Sequence, residues 1–407
     1  MSNGIAVGLL LVGLFIVAGF LSNYQFMRTG FPSILFLIFL GFLVSPIFNV
    51  AKPEVVTGLA PYLADVATIL ILFEAGLTGN IQRRFREMPR ALLASIWHLV
   101  LCIVVGALFM GGIGIDPLYG IMFGIMVSSN SAAVLAIIQR SNKVREEAVL
   151  AIRLESTFNN IFQIATFLAL AKAISIGNWA PFAVLQSMLI RFGLGGVIGF
   201  IVGVCWLIIL SRIRDEASVS IVTLAILFII YYISESVGGD GAFASLLFGI
   251  VLASQKEIGS FLRRRNVNDD VINEYVVRFK PEFLVKFESE ICFLVRTFFF
   301  VYIGLFLNVT DPMWMVYGVL ISLLLFSARI IAIRLATIRS PLQQEHYLIS
   351  SVLARGINEA ALTVVFLNYG FPYGLMFQNI AFIVIIITNI LTPIGVYLFT
   401  NKRGKKQ

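Results

Sequence analysis

Residues 154–173, LESTFNNIFQIATFLALAKA, begin with a polar group in an otherwise apolar run. On a helix, Glu155 lies one turn before Asn159. Ser156 in the same way lies one turn before Asn160, so the four side chains cover one continuous surface. Carboxylate, hydroxyl and amide oxygens are hard ligands that suit a monovalent cation. The alternative is a polar knot that holds helices together, which needs fewer groups and no carboxylate.

Two further stretches interrupt apolar runs at their centres. Residues 124–138 read GIMVSSNSAAVLAII, and residues 353–365 read LARGINEAALTVV. Serine and asparagine side chains compete for backbone hydrogen bonds and therefore make poor helix interiors. Two interrupted spans in separate parts of a membrane protein are typical of inverted-repeat transporters with crossed, broken helices. Ordinary serine and glycine packing between helices is the alternative.

The composition indicates what surrounds these polar groups. Of the 407 residues, 59% are hydrophobic and only 13% are charged. A soluble protein of this size has about a quarter charged residues. A spanning helix needs ~20 apolar residues, so the chain is long enough for about a dozen. The composition therefore predicts a polytopic membrane protein.

Apolar runs cut at glycine, proline and charge clusters predict thirteen spans. They lie near residues 4–21, 31–49, 60–79, 91–112, 117–139, 149–173, 183–211, 217–236, 241–254, 290–307, 313–337, 346–369 and 376–399. We expect an all-α fold of about thirteen transmembrane helices, built as inverted repeats with crossed broken helices. Gly195, Gly199 and Gly203 share one face of the seventh span, which predicts close helix packing.

Basic residues decide the predicted orientation. One set of alternate loops contains Arg28, residues 83–90, residues 263–265 and the C-terminal tail, whereas the opposite loops contain only Lys52. The positive-inside rule therefore places the N-terminus outside and the C-terminus in the cytoplasm. This placement accounts for the formal charge of +8 without nucleic acid. We expect a multi-pass protein of the cell (plasma) membrane.

Charged residues inside the predicted spans are the candidates for function, because an ionisable group near the bilayer midplane is costly. They are Asp65, Glu74, Glu155, Arg296, Arg329, Arg355 and Glu359. The three cysteines lie in apolar runs, and only two histidines accompany them. We therefore expect neither disulfides nor a metal site.

Together these motifs resemble the monovalent cation:proton antiporter superfamily, and within it the archaeal and bacterial NhaP-type sodium/proton antiporters. The resemblance covers essentially the whole chain, and its pieces fall in order on the predicted spans. They are LFEAGL at 72–77, SNSAAVLAI at 129–137, ESTFNN at 155–160, FFFVYIGL at 298–305, SARIIAIR at 327–334 and LARGINEAAL at 353–362.

The resemblance implies a homodimer whose protomers each have a core domain that moves against a dimerisation domain. The core would include the spans near 60–173 and 290–369, and the dimerisation domain chiefly those near 1–49 and 183–254. The ion would sit where the broken fifth span meets the sixth.

This location and the shared helix face together predict six cation-binding residues. They are Ser129, Asn130, Glu155, Ser156, Asn159 and Asn160. The resemblance further implies that an arginine holds Glu155, with Arg329 the first candidate and Arg296 the second. Glu74 would lie along the cytoplasmic funnel.

The chain departs from the family pattern in both spans. Typical exchangers have Thr-Asp-Pro where this chain has Ser129-Asn130-Ser131, and Asn-Asp where it has Asn159-Asn160. An amide cannot titrate, so it cannot exchange a proton for a cation. Three accounts fit: position 160 is an engineered Asp→Asn change, it is natural and Glu155 or another acid carries the proton, or the chain no longer exchanges.

The sequence thus predicts a secondary active transporter that exchanges a monovalent cation, Na⁺ first, for H⁺ by alternating access, with no cofactor. The alternatives are a transport-inactive relative, or a uniporter or carrier of anions or organic solutes. The arginines at 296, 329 and 355 favour an anion carrier, because guanidinium groups bind anions well. An enzyme is not expected, because the sequence has no nucleophile–histidine arrangement, metal cluster or phosphate-binding loop.

Overall fold

A computed structural model describes residues 2–29, 32–48, 81–131, 144–177, 181–210, 216–254, 281–307 and 311–404, with short helical pieces between 62 and 77. Within these residues the secondary structure is helical, without strands. The helices are α1 (Ser2–Thr29), α2 (Ser33–Phe48), α3 (Ile81–Gly112), α4 (Pro117–Met126), α5 (Glu146–Ile176), α6 (Pro181–Leu210), α7 (Glu216–Ser236), α8 (Gly241–Ala253), α9 (Pro281–Phe306), α10 (Pro312–Thr337), α11 (His346–Ser351), α12 (Ile357–Asn368) and α13 (Gly374–Gly404). A 3₁₀ turn, Pro341–Glu345, precedes α11.

Most predicted spans coincide with these helices, and the all-α membrane fold is confirmed. Seven of the described helices are long and apolar enough to cross a membrane, and four shorter ones are apolar. α5 has 31 residues but is not among the seven, because its polar residues lower its hydropathy. The predicted twelfth span is two helices, α11 and α12. Part of the third predicted span and residues 132–139 of the fifth lie outside the described residues.

The chain forms two compact units. The first comprises Met1–Ala64, Phe85–Gly177 and Leu294–Gln407, and the second comprises Asp65–Arg84 and Asn178–Phe293. In the first unit, α13 packs against α10, α11 and α12, and α5 packs against α4 and α12. An aliphatic cluster drawn from α3, α5, α10, α11 and α13 fills part of its core. The predicted division into core and dimerisation domains is a functional one and stays a prediction.

In the second unit, α6 packs closely on α8 through its glycine face. A Cβ atom added at Gly199 would lie 2.2 Å from the backbone oxygen of Ala244. One added at Gly203 would lie 2.9 Å from the Cβ atom of Val251. Side chains of any size are excluded from this contact, so the predicted glycine packing is confirmed.

Asp240 lies in the turn between α7 and α8, outside the spanning segment that ends at Ser236. It is the N-cap of α8, and its Oδ1 accepts a hydrogen bond from the Phe243 amide at 2.7 Å. Asp240 is 2% exposed, and its Oδ2 has no hydrogen-bond partner among the described residues. An Arg191–Glu235 ion pair, 3.0 Å long, lies in the same neighbourhood. The second unit therefore contains a buried carboxyl group that burial disfavours in its charged form.

The melting temperature is expected to respond to pH through Asp240. Burial raises the pKa of Asp240 from its ordinary 3.8 to about 6, and Glu235 adds to the rise, whereas the Phe243 amide opposes it. The folded state therefore binds more protons than the unfolded one between these values, and stability falls as the pH rises from 4 through 6. Asp240→Asn keeps the cap but cannot titrate. It should flatten this dependence by up to about 3 kcal/mol, since one pKa unit is worth about 1.4 kcal/mol.

Thermal unfolding in detergent from pH 4 to 8, for the unmodified chain and for Asp240→Asn, measures this effect. The difference between the two curves isolates the one carboxyl group from the other titrating residues. Curves that stay parallel across the range would contradict the assignment.

Candidate functional site

Two segments of the first unit lose their helical structure, one after α4 and one after α11, and the two non-helical parts contact each other. α4 ends at Met126 and residues 127–131 continue without helical structure. α11 ends at Ser351, and residues 352–356 also lack helical structure before α12 begins. The Ser131 amide donates to the Ala354 backbone oxygen at 2.6 Å, so the two non-helical segments are in contact. The predicted crossing of broken helices is therefore present, and we call residues 127–131 with 352–356 the crossing.

Three side chains explain why α4 can end inside the protein. The last carbonyl groups of a helix lack intrahelical partners and need others when buried. Ser128 Oγ donates to the carbonyl of Ile125 at 2.8 Å, and Gln163 Nε2 to that of Met126 at 2.6 Å. Arg355 Nε donates to the carbonyl of Val127 at 2.5 Å. A guanidinium group at this position also suits the negative end of the helix dipole.

The second non-helical segment, residues 352–356, is held by α13. Asn389 Nδ2 donates to the backbone oxygen of Arg355 at 2.7 Å, and the Leu353 amide donates to Thr392 Oγ1 at 3.1 Å. Arg355 Nη1 donates to the Leu353 carbonyl at 3.3 Å. Arg355 is fully buried and makes no ion pair in the described part of the chain. Its role in this geometry is to bind backbone carbonyls of both segments.

The polar face of α5 lies against the crossing. Ser156 Oγ donates to the backbone oxygen of Asn130 at 2.6 Å, and Asn159 Nδ2 donates to Asn130 Oδ1 at 2.6 Å. Ser129, Asn130, Ser156 and Asn159 are each less than 5% exposed. Asn159 Nδ2 also donates to Glu155 Oε1 at 3.4 Å, and Glu155 is buried. The structure thus brings together five of the six predicted cation-binding residues in one buried network.

Several polar atoms in this network lack partners among the described residues. They are Asn130 Nδ2, Asn159 Oδ1 and Gln163 Oε1, and all three are buried. An unsatisfied buried polar atom costs about 1–3 kcal/mol, so such atoms are rare and call for an explanation. Two of the three are oxygen acceptors one helical turn apart on α5. Acceptor oxygens without donors are what a dehydrated cation requires.

Glu155 forms an ion pair with an arginine. Arg329 Nη1 and Nη2 donate to Glu155 Oε1 and Oε2 at 2.8 and 3.1 Å, and both residues are buried. Arg329 Nη2 also donates to the Ile349 carbonyl at 3.0 Å. Arg329, the first predicted partner, therefore holds Glu155. Arg296 lies half-buried on α9 and forms no ion pair with Glu155 among the described residues.

A second carboxylate reaches the crossing from α12. Glu359 accepts hydrogen bonds from Ser129 Oγ and from the Gly356 amide, the latter at 2.8 Å. It is 1% exposed. The sequence marks Glu359 as a charged residue in an interrupted span, but it was not predicted as part of the site. Gln163 was also missed, although its position one turn after Asn159 on the same face could have indicated it.

One of the predicted cation-binding residues, Asn160, lies outside this hydrogen-bond network. Asn160 is half-buried, and its side chain makes no hydrogen bond with the described residues. Glu74 is half-buried in a piece of the second unit. The position of Glu74 along a cytoplasmic funnel stays a prediction.

The sequence matches the family model described as "Sodium/hydrogen exchanger, transmembrane" over residues 10–402. The chain belongs to the sodium/hydrogen exchanger family. This confirms the predicted family, which is one of transporters and not of enzymes.

Similar proteins include "Probable Na(+)/H(+) antiporter 2" of Methanocaldococcus jannaschii, 26% identical over 217 residues, which are 52% of this chain and 50% of that protein. The "K(+)/H(+) antiporter NhaP" of Alkalimonas amylolytica is 23% identical over 264 residues, 62% of this chain and 45% of that protein. The chain thus spans about half the length of these relatives of the exchanger family.

The fold is similar to that of a solved antiporter. The chain is similar to the sodium proton antiporter MjNhaP1 from Methanocaldococcus jannaschii at pH 8, with a TM-score of 0.78 and 20% identity. The match covers 100% of this chain and 98% of that one. The predicted exchanger fold is therefore confirmed.

Proposed function

We propose that this chain exchanges a monovalent cation, Na⁺ first, for H⁺ across the membrane by alternating access. The observation that carries the proposal is the buried network at the crossing, where Asn159 Oδ1 and Gln163 Oε1 are acceptors without donors among the described residues. The names of the relatives, which are Na⁺/H⁺ and K⁺/H⁺ antiporters, support the same activity.

In the proposed cycle the cation sheds water and binds oxygens of Ser129, Ser156 and Asn159 beside Asn130. Hydroxyl and amide oxygens replace its hydration shell. When the cation leaves, a buried carboxylate takes up a proton from water, and competition between the two ions couples their fluxes. Asn160 cannot be that group, because an amide does not titrate.

The ion pair of Arg329 argues against an anion carrier. Arg355 donates to the carbonyls of Val127 and Leu353, and its Nη2 has no partner among the described residues. Arg329 donates from both Nη groups to Glu155. An anion that bound Arg329 would have to displace this buried carboxylate. Removing one partner of a buried ion pair typically costs about 3–5 kcal/mol.

The proposal includes the architecture that the sequence predicts. We infer a homodimer in the plasma membrane, with the N-terminus outside, the C-terminus in the cytoplasm, and a core domain that carries the crossing. The distribution of lysine and arginine between loops supports the orientation. The transported cation and H⁺ are substrates, and no cofactor, nucleic acid or enzymatic activity is part of the proposal.

Purified chain in liposomes that enclose a pH-sensitive dye tests the proposed exchange. An imposed Na⁺ gradient is expected to move protons in the opposite direction with saturable dependence on Na⁺, and K⁺ and Li⁺ are compared in parallel. Ser156→Ala should raise the Na⁺ concentration for half-maximal rate roughly fivefold, the equivalent of about 1 kcal/mol of lost binding.

Ser175→Ala on the same helix is the matched control, because that exposed hydroxyl bonds only within its own helix. Its half-maximal concentration should stay unchanged. Liposomes in which no monovalent cation gradient moves protons would contradict the proposed function.

A further inference from the structure

Charge balance at the crossing raises the question of which group neutralises the cation. Among the described residues, the buried charges close to it are Glu155, Arg329, Arg355 and Glu359, two negative and two positive. A charge buried without a counter-charge is strongly disfavoured. Position 160, where the family pattern has an acid, holds an amide.

Glu155 is not free to bind the cation. Both of its oxygens accept hydrogen bonds from Arg329 in a parallel, bidentate geometry. Such pairs combine charge with fixed direction and are among the strongest side-chain contacts. A cation that took Glu155 would leave Arg329 buried and unpaired.

Glu359 is bound differently. Its two hydrogen-bond donors, Ser129 Oγ and the Gly356 amide, are neutral, and the described residues include no ion-pair partner for it. A carboxylate has about four acceptor positions, so two remain when both donors are in place. Arg355 influences it only at longer range.

Glu359 is also linked to the network on α5 through Ser129. Its partner Ser129 precedes Asn130, which contacts Ser156 through its backbone oxygen and Asn159 through its side chain. The hydroxyl of Ser129 donates its hydrogen to the carboxylate. The lone pairs of the hydroxyl oxygen are therefore available to other ligands. The carboxylate, this hydroxyl and the Asn159 oxygen that lacks a described donor thus belong to one buried group.

We propose that Glu359 is the anionic ligand of the transported cation and takes the place of the acid that the family pattern has at position 160. The inference rests on the proposed exchange. In each cycle the cation leaves the Glu359 carboxylate and one proton from water binds to it, so the site carries the same net charge in both states.

A purely structural role is the competing account. Glu359 is the third residue of α12, and its bond to the Gly356 amide closes a capping box at the helix start. Glu359→Gln separates the two roles. Glutamine keeps the length of the side chain and an oxygen for the Gly356 amide, but it removes the charge.

Direct binding of ²²Na⁺ to the purified chain tests the proposal, together with the protons released on Na⁺ addition in weakly buffered solution. Glu359→Gln is expected to weaken Na⁺ binding at least about tenfold and to abolish the proton release. Glu345→Gln, which alters an equally buried glutamate in the 3₁₀ turn, is the control and should change neither. A melting curve establishes that each variant is folded.

The outcomes separate the two proposals. If the unmodified chain neither binds Na⁺ nor exchanges it, the proposed function fails. If the unmodified chain exchanges and Glu359→Gln binds Na⁺ within twofold of it, exchange stands and the inference about Glu359 is wrong. Should Glu359→Gln not fold, Glu359→Asp is measured in its place. Aspartate keeps the negative charge, but its side chain is one methylene shorter, so the carboxylate lies farther from the site. Unchanged Na⁺ binding by that variant overturns the inference, and binding weakened several-fold supports it.

Discussion

Asn160→Asp is expected to raise the rate of Na⁺-driven proton movement at limiting Na⁺ about tenfold or more. The change adds a negative charge one turn after Ser156 and next to Asn159, the two α5 residues of the buried network. Two unit charges 4 Å apart attract by about 4 kcal/mol near a protein surface, and desolvation offsets part of this. Asn160 is half-buried and has no hydrogen-bond partner among the described residues, so the substitution breaks no described contact of its side chain.

The measurement compares initial rates in the dye-loaded liposomes across a range of Na⁺ concentrations. Asn368→Asp, at the exposed end of α12, is a matched control for the added charge and should leave the rate unchanged. Equal rates for Asn160→Asp and the unmodified chain would place residue 160 outside the ion path. If only the variant exchanges, the chain as it stands is a disabled exchanger and Glu359 cannot replace the missing acid.

Glu155→Gln is expected to destabilise the folded protein by about 3–5 kcal/mol. It removes one partner of a buried ion pair and leaves Arg329 without a counter-charge. The same reasoning predicts partial recovery when both partners are neutral. Glu155→Gln combined with Arg329→Met should therefore be more stable than Glu155→Gln alone, because the orphaned charge is gone.

Thermal unfolding in detergent of Glu155→Gln, Arg329→Met and the double variant gives the coupling energy of the pair. Glu290→Gln, at an exposed position on α9, is the control for a loss of negative charge. A different outcome would contradict this prediction. If Glu155→Gln had the melting temperature of the unmodified chain but did not bind Na⁺, Glu155 would be a ligand of the cation and not a structural partner of Arg329.

Local sequence patterns predicted the part of the site that lies on one helix. The four-residue spacing of Glu155 with Asn159 fixes their common face, and a run of serines breaks a helix by competing for its backbone. Both features depend only on neighbours in the chain. For this reason the α5 face and the end of α4 near residues 127–131 follow from the amino-acid sequence alone.

Contacts between distant segments could not be derived in this way. Ser129 and Glu359 are 230 positions apart, and no periodicity relates them. The support of the second break by Asn389 and Thr392 likewise depends on how α13 packs. Only the resemblance favours Arg329 over Arg296 as the partner of Glu155, since both are arginines inside predicted spans. Tertiary packing, which the sequence pattern does not report, decides these pairings.

Anomalous scattering from crystals grown with Tl⁺, a heavy substitute for Na⁺ and K⁺, tests the central claim most directly. The account predicts one strong peak per protomer at the crossing, within coordination reach of oxygens from Ser129, Asn159 and Glu359, and a weaker peak when Na⁺ competes. A transport-competent protein whose Tl⁺ peaks all lie away from these oxygens would contradict it.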